Sequence, residues 1–312
     1  MNPAEIAGTV FIKNEARSDD QFAAAYLKHG ITHGITYQVK VLTWVAWKLL
    51  CSSDFDSRNW YLGTEVRNAR GFHDLVLKYD IGGRRVYRFV QIKHKLCLSN
   101  RARITLGSLN SKQKKNQYSL IYLFRSYLNM LGNFEKIMMD QIVDMTVFTN
   151  VDIDSIKFLV PIENDPILGF EGKGKRYRID LPMLEQNPDV LKRLQQVVQN
   201  DMVIYDFLRK LVFAIGQPSE SELEERIVKD MGTVFSVPQV FYNDLLKSML
   251  TWFLIYNAGT APYLTKERMM RFLLGAQDTL LRAKESGMHV PGSPLLEELS
   301  QQLSEQLSQL RI

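Results

Sequence analysis

The chain has 312 residues, of which 46% are hydrophobic and 23% charged, with a formal net charge of +5. This length favours two domains, and the composition is typical of a globular chain with a sizeable core, which excludes disorder as the main state. Two cysteines exclude a disulfide scaffold, and short apolar runs and a start without signal features exclude membrane and secretory classes, so we expect an intracellular protein of the cytoplasm or nucleus.

Helices and strands alternate in the first half of the sequence. Residues 21–29 predict a helix, and Thr36–Leu50 predicts another, because its apolar residues recur at spacings of three and four. The strands that follow are rich in β-branched and aromatic residues: Trp60–Val66, Phe72–Asp80 and Val86–Leu96. The α/β layer pattern is completed by a helix at Tyr118–Leu131 and strands at Met145–Asn150 and Ile156–Val160.

The second half has a different texture. Proline and glycine are frequent between residues 161 and 183, so we place a linker at 166–183. The residues after it predict helices at roughly 184–215, 219–231, 238–257, 264–286 and 294–311. The predicted fold class is therefore α/β, with a mixed sheet flanked by helices at residues 1–165 and an all-α helical domain at 184–312.

The last predicted helix carries a leucine stripe at positions 299, 303, 307 and 310. The stripe is too short for a coiled coil to be assigned. We expect it to pack on its own domain, and a homo-oligomer formed through the helical domain is the alternative.

The turns between the three central strands predict how those strands pair. If Gly82–Gly83 forms a two-residue turn, Asp74 lies directly opposite Gln91. If Asn68–Gly71 forms the preceding loop, Glu65 lies directly opposite Asp74. Three polar side chains then form one cross-strand row on one face of the sheet.

This polar row predicts a metal site. Two opposed carboxylates repel by roughly 3 kcal/mol at about 5 Å and an effective dielectric of about 20, and a divalent cation between them removes that cost. Asp74 and Glu65 would supply charge to Mg²⁺ or Mn²⁺, Gln91 an amide oxygen and Ile92 its backbone carbonyl. Lys93, on the same face, would hold or activate the attacking water or offset charge on a phosphate. The alternative is a sheet whose polar face is solvated.

The histidines next to this row are predicted to have a structural role and not to belong to the site. Strict alternation along the strands places His73 and His94 on the opposite face of the sheet from Asp74 and Lys93. The sequence contains no P-loop, G-x-S-x-G or H-E-x-x-H motif.

Positive charge is concentrated in one segment. Residues 84–115 contain ten Lys or Arg and no Asp or Glu, so this block supplies all of the chain's excess positive charge. Such a block favours a polyanionic partner, although a solvated basic face is the alternative. The predicted contacts to a phosphate backbone are Arg101, Arg103, Lys112, Lys114 and Lys115.

The residues of the polar row resemble a known family. The segment EVRNARGFHD at 65–74, followed by FVQIKHK at 89–95, resembles the PD-(D/E)xK nuclease superfamily. It is especially similar to nuclease-like modules at the N-terminus of large arthropod proteins, some of which continue into NACHT-type or repeat regions. The segments GITYQ, YLFRSY and VFTN fit the same pattern, and the resemblance covers roughly residues 30–160.

The resemblance implies a restriction-endonuclease-like sheet and metal-dependent hydrolysis of phosphodiester bonds, in DNA rather than RNA. Asp74 matches the metal-binding Asp, Gln91 occupies the Asp/Glu position and Lys93 matches the Lys. Glu65 and Gln38 match accessory polar positions. Gln91 departs from the pattern: members similar to Mrr-type restriction enzymes carry Gln there, but a neutral ligand weakens metal affinity. The alternative function is an inactive nuclease-fold module that binds nucleic acid or acts as a scaffold.

Overall fold

The computed structural model describes residues 34–56, 58–69, 71–95, 103–113, 116–255 and 262–285. The helices predicted at 21–29 and 294–311 lie outside these residues, as do Arg101, Lys114 and Lys115. Within the described residues, no helix has the length and apolar character needed to cross a bilayer.

The chain forms a mixed α/β fold with a helical C-terminal region, as the sequence predicts. The helices are α1 (34–51), α2 (Ser53–Asp56), α3 (Leu106–Leu109), α4 (Leu120–Asn133), α5 (Leu181–Glu185), α6 (Pro188–Gln195), α7 (Asp201–Lys210), α8 (Glu220–Met231), α9 (Pro238–Leu254) and α10 (Lys266–Glu285). The strands are β1 (Trp60–Gly63), β2 (Leu75–Ile81), β3 (Arg84–Lys93), β4 (Arg103–Ile104), β5 (Ile142–Thr149), β6 (Asp152–Ile153), β7 (Leu159–Ile162), β8 (Lys175–Ile179), β9 (Leu211–Ile215) and β10 (Leu264–Thr265).

One large sheet organises the described residues. Its strands lie in the order β10-β1-β2-β3-β5-β9-β8-β7, while β4 and β6 pair separately. Strands β3, β5 and β9 are parallel to one another, and the strands at both sides are antiparallel. The carboxyl ends of the three parallel strands therefore meet at one edge of the sheet.

Apolar residues cover both faces of this sheet. One face packs against α1, α8, α9 and α10, and the other packs against α4, α6 and α7. Side chains of β3 alternate between these two cores: Val90 lies in the first and Phe89 in the second. Because both faces are covered, a polar side chain on a central strand is withdrawn from water unless it lies near a strand end.

The predicted strand register is confirmed. Ile81 pairs with Arg84 across the Gly82–Gly83 turn, and the ladder runs to Leu75 opposite Val90. Both turn glycines have positive φ, 56° and 77°, as a two-residue primed turn requires. One step further along this ladder, Asp74 lies opposite Gln91.

The predicted linker and all-helical region are wrong for several segments. Strand β8 lies inside residues 166–183, and β9 and β10 lie inside the region predicted as helical. Strand β9 (LVFAI) is buried along its length between β5 and β8, so the sheet continues past residue 165. A short apolar run cannot be distinguished from the end of helix α7 by periodicity alone.

Side chains cap the starts of helices α8 and α10. The Ser219 hydroxyl accepts from the Glu222 N–H and the Glu222 carboxylate accepts from the Ser219 N–H, which forms a capping box at the start of α8. Thr265 Oγ1 accepts from the Arg268 N–H at the start of α10.

Candidate functional site

The predicted polar row lies where β2 begins and β3 ends. Asp74 immediately precedes β2, while Gln91, Ile92 and Lys93 are the last three residues of β3. Strand β5 ends beside them, with Lys93 paired to Thr149. The site therefore sits at the edge formed by the carboxyl ends of the parallel strands.

Asp74 is held by a backbone hydrogen bond across this edge. Its Oδ2 accepts from the Ile92 N–H at 2.7 Å, and the residue is only 7% exposed. Burial raises the pKa of Asp74, and the nearby Lys93 and His73 only partly offset this rise. The second carboxylate oxygen, Oδ1, lies 3.7 Å from His73 Nδ1.

Glu65 reaches the site by leaving the strand. The prediction placed it within a strand ending at Val66, but β1 ends at Gly63 and Glu65 adopts a left-handed conformation with φ of 49°. The residue before it and the residue after it still bond towards the start of β2, since Thr64 Oγ1 donates to the Asp74 carbonyl and the Val66 N–H to the His73 carbonyl. A non-glycine residue in this region is uncommon and is frequent at functional sites.

Gln38 connects helix α1 to this bend. Its Nε2 donates to Glu65 Oε1 at 2.9 Å, to the Asp74 carbonyl at 3.1 Å and to Thr64 Oγ1 at 3.2 Å. The predicted accessory residue therefore positions the acidic pair from the neighbouring helix.

His73 is a site residue that the sequence interpretation missed. Its Nε2 lies 3.2 Å from Glu65 Oε2, and its Nδ1 lies 3.7 Å from Asp74 Oδ1. The hydrogen bond with Glu65 raises the pKa of His73 despite its burial. Alternation failed here because β2 starts only at Leu75, so His73 belongs to the loop and is not bound to a sheet face. The adjacency of His73 to Asp74 was the available signal.

The loop that carries His73 is fixed by close packing. Gly71 has a φ of 90°, and a Cβ built there would lie 2.1 Å from Ser126 Oγ on helix α4. Only glycine fits both the conformation and the space. The Ala69 and Phe72 N–H groups complete consecutive turns that lead into His73.

Gln91 and Ile92 offer neutral oxygens to the same edge. Gln91 is 1% exposed, and no hydrogen-bond donor in the described part of the chain reaches its Oε1. A buried acceptor without a donor is uncommon in native proteins, and a bound ion is one explanation for it. The Ile92 N–H faces Asp74, and the carbonyl of a strand residue points to the same side as its N–H.

Positive charge from Lys93 and His73 acts on the two carboxylates. Burial alone would raise the pKa of Glu65, but hydrogen bonds from His73 and Gln38 bring it below its usual value, and Lys93 contributes to this. Lys93 is half-buried and shares its side of β3 with Gln91. The site therefore combines two carboxylates with one ammonium group that can meet an incoming anion.

The donor atoms at this edge fit a divalent cation. Ligand atoms of Glu65, His73 and Asp74 lie within 4.8 Å of one another. Carboxylate, amide and carbonyl oxygens are the donors that Mg²⁺ and Mn²⁺ take, and Gln91 Oε1 supplies a buried one.

The basic block does not form one continuous cationic surface in the described residues. Four of its arginines bind aspartates from other parts of the chain. These ion pairs are Arg84–Asp140, Arg85–Asp80, Arg88–Asp144 and Arg103–Asp154. Arg103 also donates to the Ile153 carbonyl, whereas Lys112 is exposed. The DNA contacts of Arg103 and Lys112 stay predictions.

A second ionic cluster lies on the other side of β3. Arg88 donates to Asp144 Oδ2 at 2.8 Å and to Asp165 Oδ2 at 2.5 Å. Arg176 lies 3.5 Å from the same Asp165 oxygen. All four side chains are at most 10% exposed. Two arginines and two aspartates thus balance their charges inside the fold.

Comparison with known proteins yields a distant structural likeness. No family model and no curated protein matches the sequence. Two solved structures of the Acinetobacter baumannii Cap4 SAVED/CARF-domain containing receptor, with the cyclic trinucleotides 2'3'3'-cAAA and 3'3'3'-cAAA, resemble the fold at a TM-score of 0.40 and 8% identity.

These alignments cover 78% and 83% of this chain, but 44% and 49% of the receptor chains. This chain therefore spans less than half the length of the receptors that it matches. A TM-score of 0.40 at 8% identity transfers neither the receptor's ligand nor an activity to this chain.

Proposed function

We propose that this chain is a metal-dependent nuclease that hydrolyses phosphodiester bonds, in DNA rather than RNA. The observation that carries the proposal is the convergence of Asp74, Gln91 and Lys93 at one edge of the sheet, with Asp74 locked by the Ile92 N–H at 2.7 Å. This supports the roles implied by the resemblance to PD-(D/E)xK nucleases.

Each side chain has a distinct role in the proposed reaction. Asp74 and Gln91 supply oxygen donors, the Ile92 carbonyl supplies another, and Glu65 adds negative charge. A bound Mg²⁺ or Mn²⁺ would act as a Lewis acid on the phosphate and lower the pKa of the attacking water. Lys93 places its ammonium beside the scissile phosphate, where it offsets the charge that builds up during hydrolysis.

The test is cleavage of plasmid and linear DNA in Mg²⁺ and in Mn²⁺. Asp74→Asn keeps an acceptor for the Ile92 N–H but removes the charge, and we expect it to lower the rate by more than about 100-fold. Lys93→Ala should also lose activity. The matched controls are Asp189→Asn and Lys192→Ala, which change exposed residues of helix α6.

Circular dichroism of each variant separates loss of chemistry from loss of fold. Unchanged cleavage by Asp74→Asn would overturn the site assignment. If the unmodified chain cleaves neither DNA nor RNA in either ion, the nuclease proposal fails.

The second candidate is an inactive module of the same fold that binds nucleic acid or acts as a scaffold. Both Glu65 oxygens already accept hydrogen bonds, from Gln38 and His73, and Gln91 replaces a charged ligand with a neutral one. These features favour an arrangement that is stable without metal. A titration of the chain with Mn²⁺ discriminates between the two functions, because the inactive module binds no ion at this edge.

A further inference from the structure

His73, the histidine beside Asp74, lies close to both carboxylates of the candidate site. His73 Nε2 lies 3.2 Å from Glu65 Oε2, and the two groups form a hydrogen bond. Since a carboxylate only accepts, the proton of this bond belongs to His73. In the neutral imidazole, the other ring nitrogen, Nδ1, then carries a lone pair.

The lone pair of Nδ1 faces a second electron-rich atom. Nδ1 is buried, no hydrogen-bond partner within the described residues reaches it, and Asp74 Oδ1 lies 3.7 Å away. The other Asp74 oxygen is already bound to the Ile92 N–H. In the neutral ring, this lone pair and the Asp74 oxygen repel each other unless a cation lies between them, either a second ring proton or a metal ion that takes its place.

The two distances suit a shared metal ion. A first-row ion at about 2.1 Å from each of two donors holds those donors roughly 3 to 4 Å apart, depending on the angle. A histidine that binds a metal through one nitrogen almost always donates its other N–H to a carboxylate or a carbonyl. Glu65 and His73 reproduce the carboxylate–histidine part of this arrangement, and a metal ion would bind between His73 Nδ1 and Asp74 Oδ1.

A second, independent feature points to the same place. Gln91 Oε1 is buried without a hydrogen-bond donor in the described residues, and Gln91 lies opposite Asp74, one step beyond the Leu75–Val90 pair of β2 and β3. An ion bound by Asp74 would also satisfy this amide oxygen. Among the described residues, the atoms without a partner at this edge are thus one nitrogen and one oxygen, and both are acceptors when the His73 ring is neutral.

We propose that His73 is a nitrogen ligand of the metal site, that Glu65 positions its ring, and that the site therefore selects Mn²⁺ or a related transition-metal ion over Mg²⁺. Mg²⁺ prefers oxygen donors and keeps several waters, whereas imidazole suits later first-row ions. This inference rests on the proposed metal-dependent function and assigns its cofactor more narrowly.

The experiment measures metal binding by the whole chain, without any assay of cleavage. Calorimetric titrations with Mn²⁺ and with Mg²⁺ should give affinities that differ at least about tenfold in favour of Mn²⁺. His73→Ala should weaken Mn²⁺ binding by about 10-fold to 100-fold and change Mg²⁺ binding far less. The matched control is His94→Ala, because His94 is close in sequence but stacks on Tyr37 at 4.2 Å between ring centroids.

Electron spin echo spectroscopy of bound Mn²⁺ tests the ligand directly in the unmodified chain. Modulation from a coordinated imidazole nitrogen is expected, and it should persist in His94→Ala and vanish in His73→Ala. This measurement keeps the proposal falsifiable even if His73→Ala does not fold.

The outcomes separate this inference from the function on which it rests. Mn²⁺ binding with no nitrogen modulation and equal affinity for Mg²⁺ would overturn the role of His73 and leave the nuclease proposal standing. If the unmodified chain binds neither ion, both proposals fail.

Discussion

Two groups of charged residues lie on opposite sides of strand β3, and they differ in how their charges are balanced. On one face, Arg88 and Arg176 bind Asp144 and Asp165, and each carboxylate lies within 4.0 Å of an arginine. At the end of the other face, beside Asp74, Gln91 Oε1 and His73 Nδ1 are buried without a hydrogen-bond partner among the described residues. The first group has matched charges within the protein, while the second has acceptors in excess.

This difference separates a structural ion cluster from a candidate reactive site. Burying charges is costly, and Arg88 offsets that cost by bonding both aspartates. Asp165 also accepts from the Ile167 and Leu168 N–H groups, so its remaining lone pairs are used. At the Asp74 edge, Gln91 Oε1 and His73 Nδ1 lack such compensation within the described residues, and a cation from solution could supply it.

Removing Arg88 should have the largest effect on stability. Arg88→Met leaves Asp144 and Asp165 buried with less compensation, and we expect the free energy of unfolding to fall by about 3–5 kcal/mol. Urea unfolding measured at neutral pH checks this value.

Two further variants should lose less stability than Arg88→Met. Arg84→Met removes an exposed pair with Asp140 and should cost less than about 1 kcal/mol. Asp74→Asn should change stability by no more than about 1 kcal/mol, because it removes a carboxylate whose pKa burial raises. Equal stability of Arg88→Met and the unmodified chain would show that the buried cluster contributes nothing.

The same cluster predicts a dependence of stability on acid. Burial alone would raise the pKa of Asp165, but the charge of Arg88 lowers it to about 2. The unfolded value is about 4, so the stabilisation is complete above that pH and is lost as pH falls through the folded value. The loss should reach about 2 kcal/mol between pH of about 4 and about 2.

Asp165→Asn isolates this contribution from that of other carboxylates. The difference in unfolding free energy between the unmodified chain and this variant should shrink as pH falls across that window. A difference that stays constant from neutral to acid pH would contradict the pairing of Asp165 with Arg88.

The strand pairing could be predicted because it depends on local chemistry. Gly82 and Gly83 supply the positive φ of a two-residue turn, and the turn sets the register of every pair down to Leu75 and Val90. Helix α4 was predictable in the same way, from its periodicity and from apolar residues that the structure buries.

The charge cluster could not be predicted because its partners are far apart in sequence. Arg88 bonds Asp144 and Asp165, which lie 56 and 77 positions away. Counting charges in residues 84–115 therefore overstated the positive surface, since it did not include the aspartates that the fold brings to the same arginines.

The composition of the site was only partly predictable for a related reason. Alternation describes residues inside strands, but Glu65 and His73 lie just outside β1 and β2. The left-handed turn at Glu65 directs its carboxylate towards His73, and no periodic pattern encodes that turn. Strand β9 was missed because five apolar residues after a helix fit either structure.

The smallest expected change comes from Gln91→Glu. This variant tests whether the buried acceptors of the site bind a cation. This substitution replaces a buried amide oxygen with a carboxylate opposite Asp74 and near Glu65. Without divalent ions, each close contact between like charges costs on the order of 1 kcal/mol, so the variant should melt below the unmodified chain. Mn²⁺ should raise its melting temperature more than that of the unmodified chain, because an ion that binds only the folded state stabilises it.

The matched control is Gln217→Glu. Gln217 is also buried and its Oε1 also has no hydrogen-bond donor in the described residues, but it follows β9, which β5 separates from β3, and it is not part of the Glu65, His73 and Asp74 group. This variant should melt early with or without Mn²⁺, since Gln217 lies outside the one group of potential metal-ligating side chains found in the described residues. If Gln91→Glu behaves like Gln217→Glu, the acceptors at the Asp74 edge do not form a metal site, and the inactive module becomes the better account of the fold.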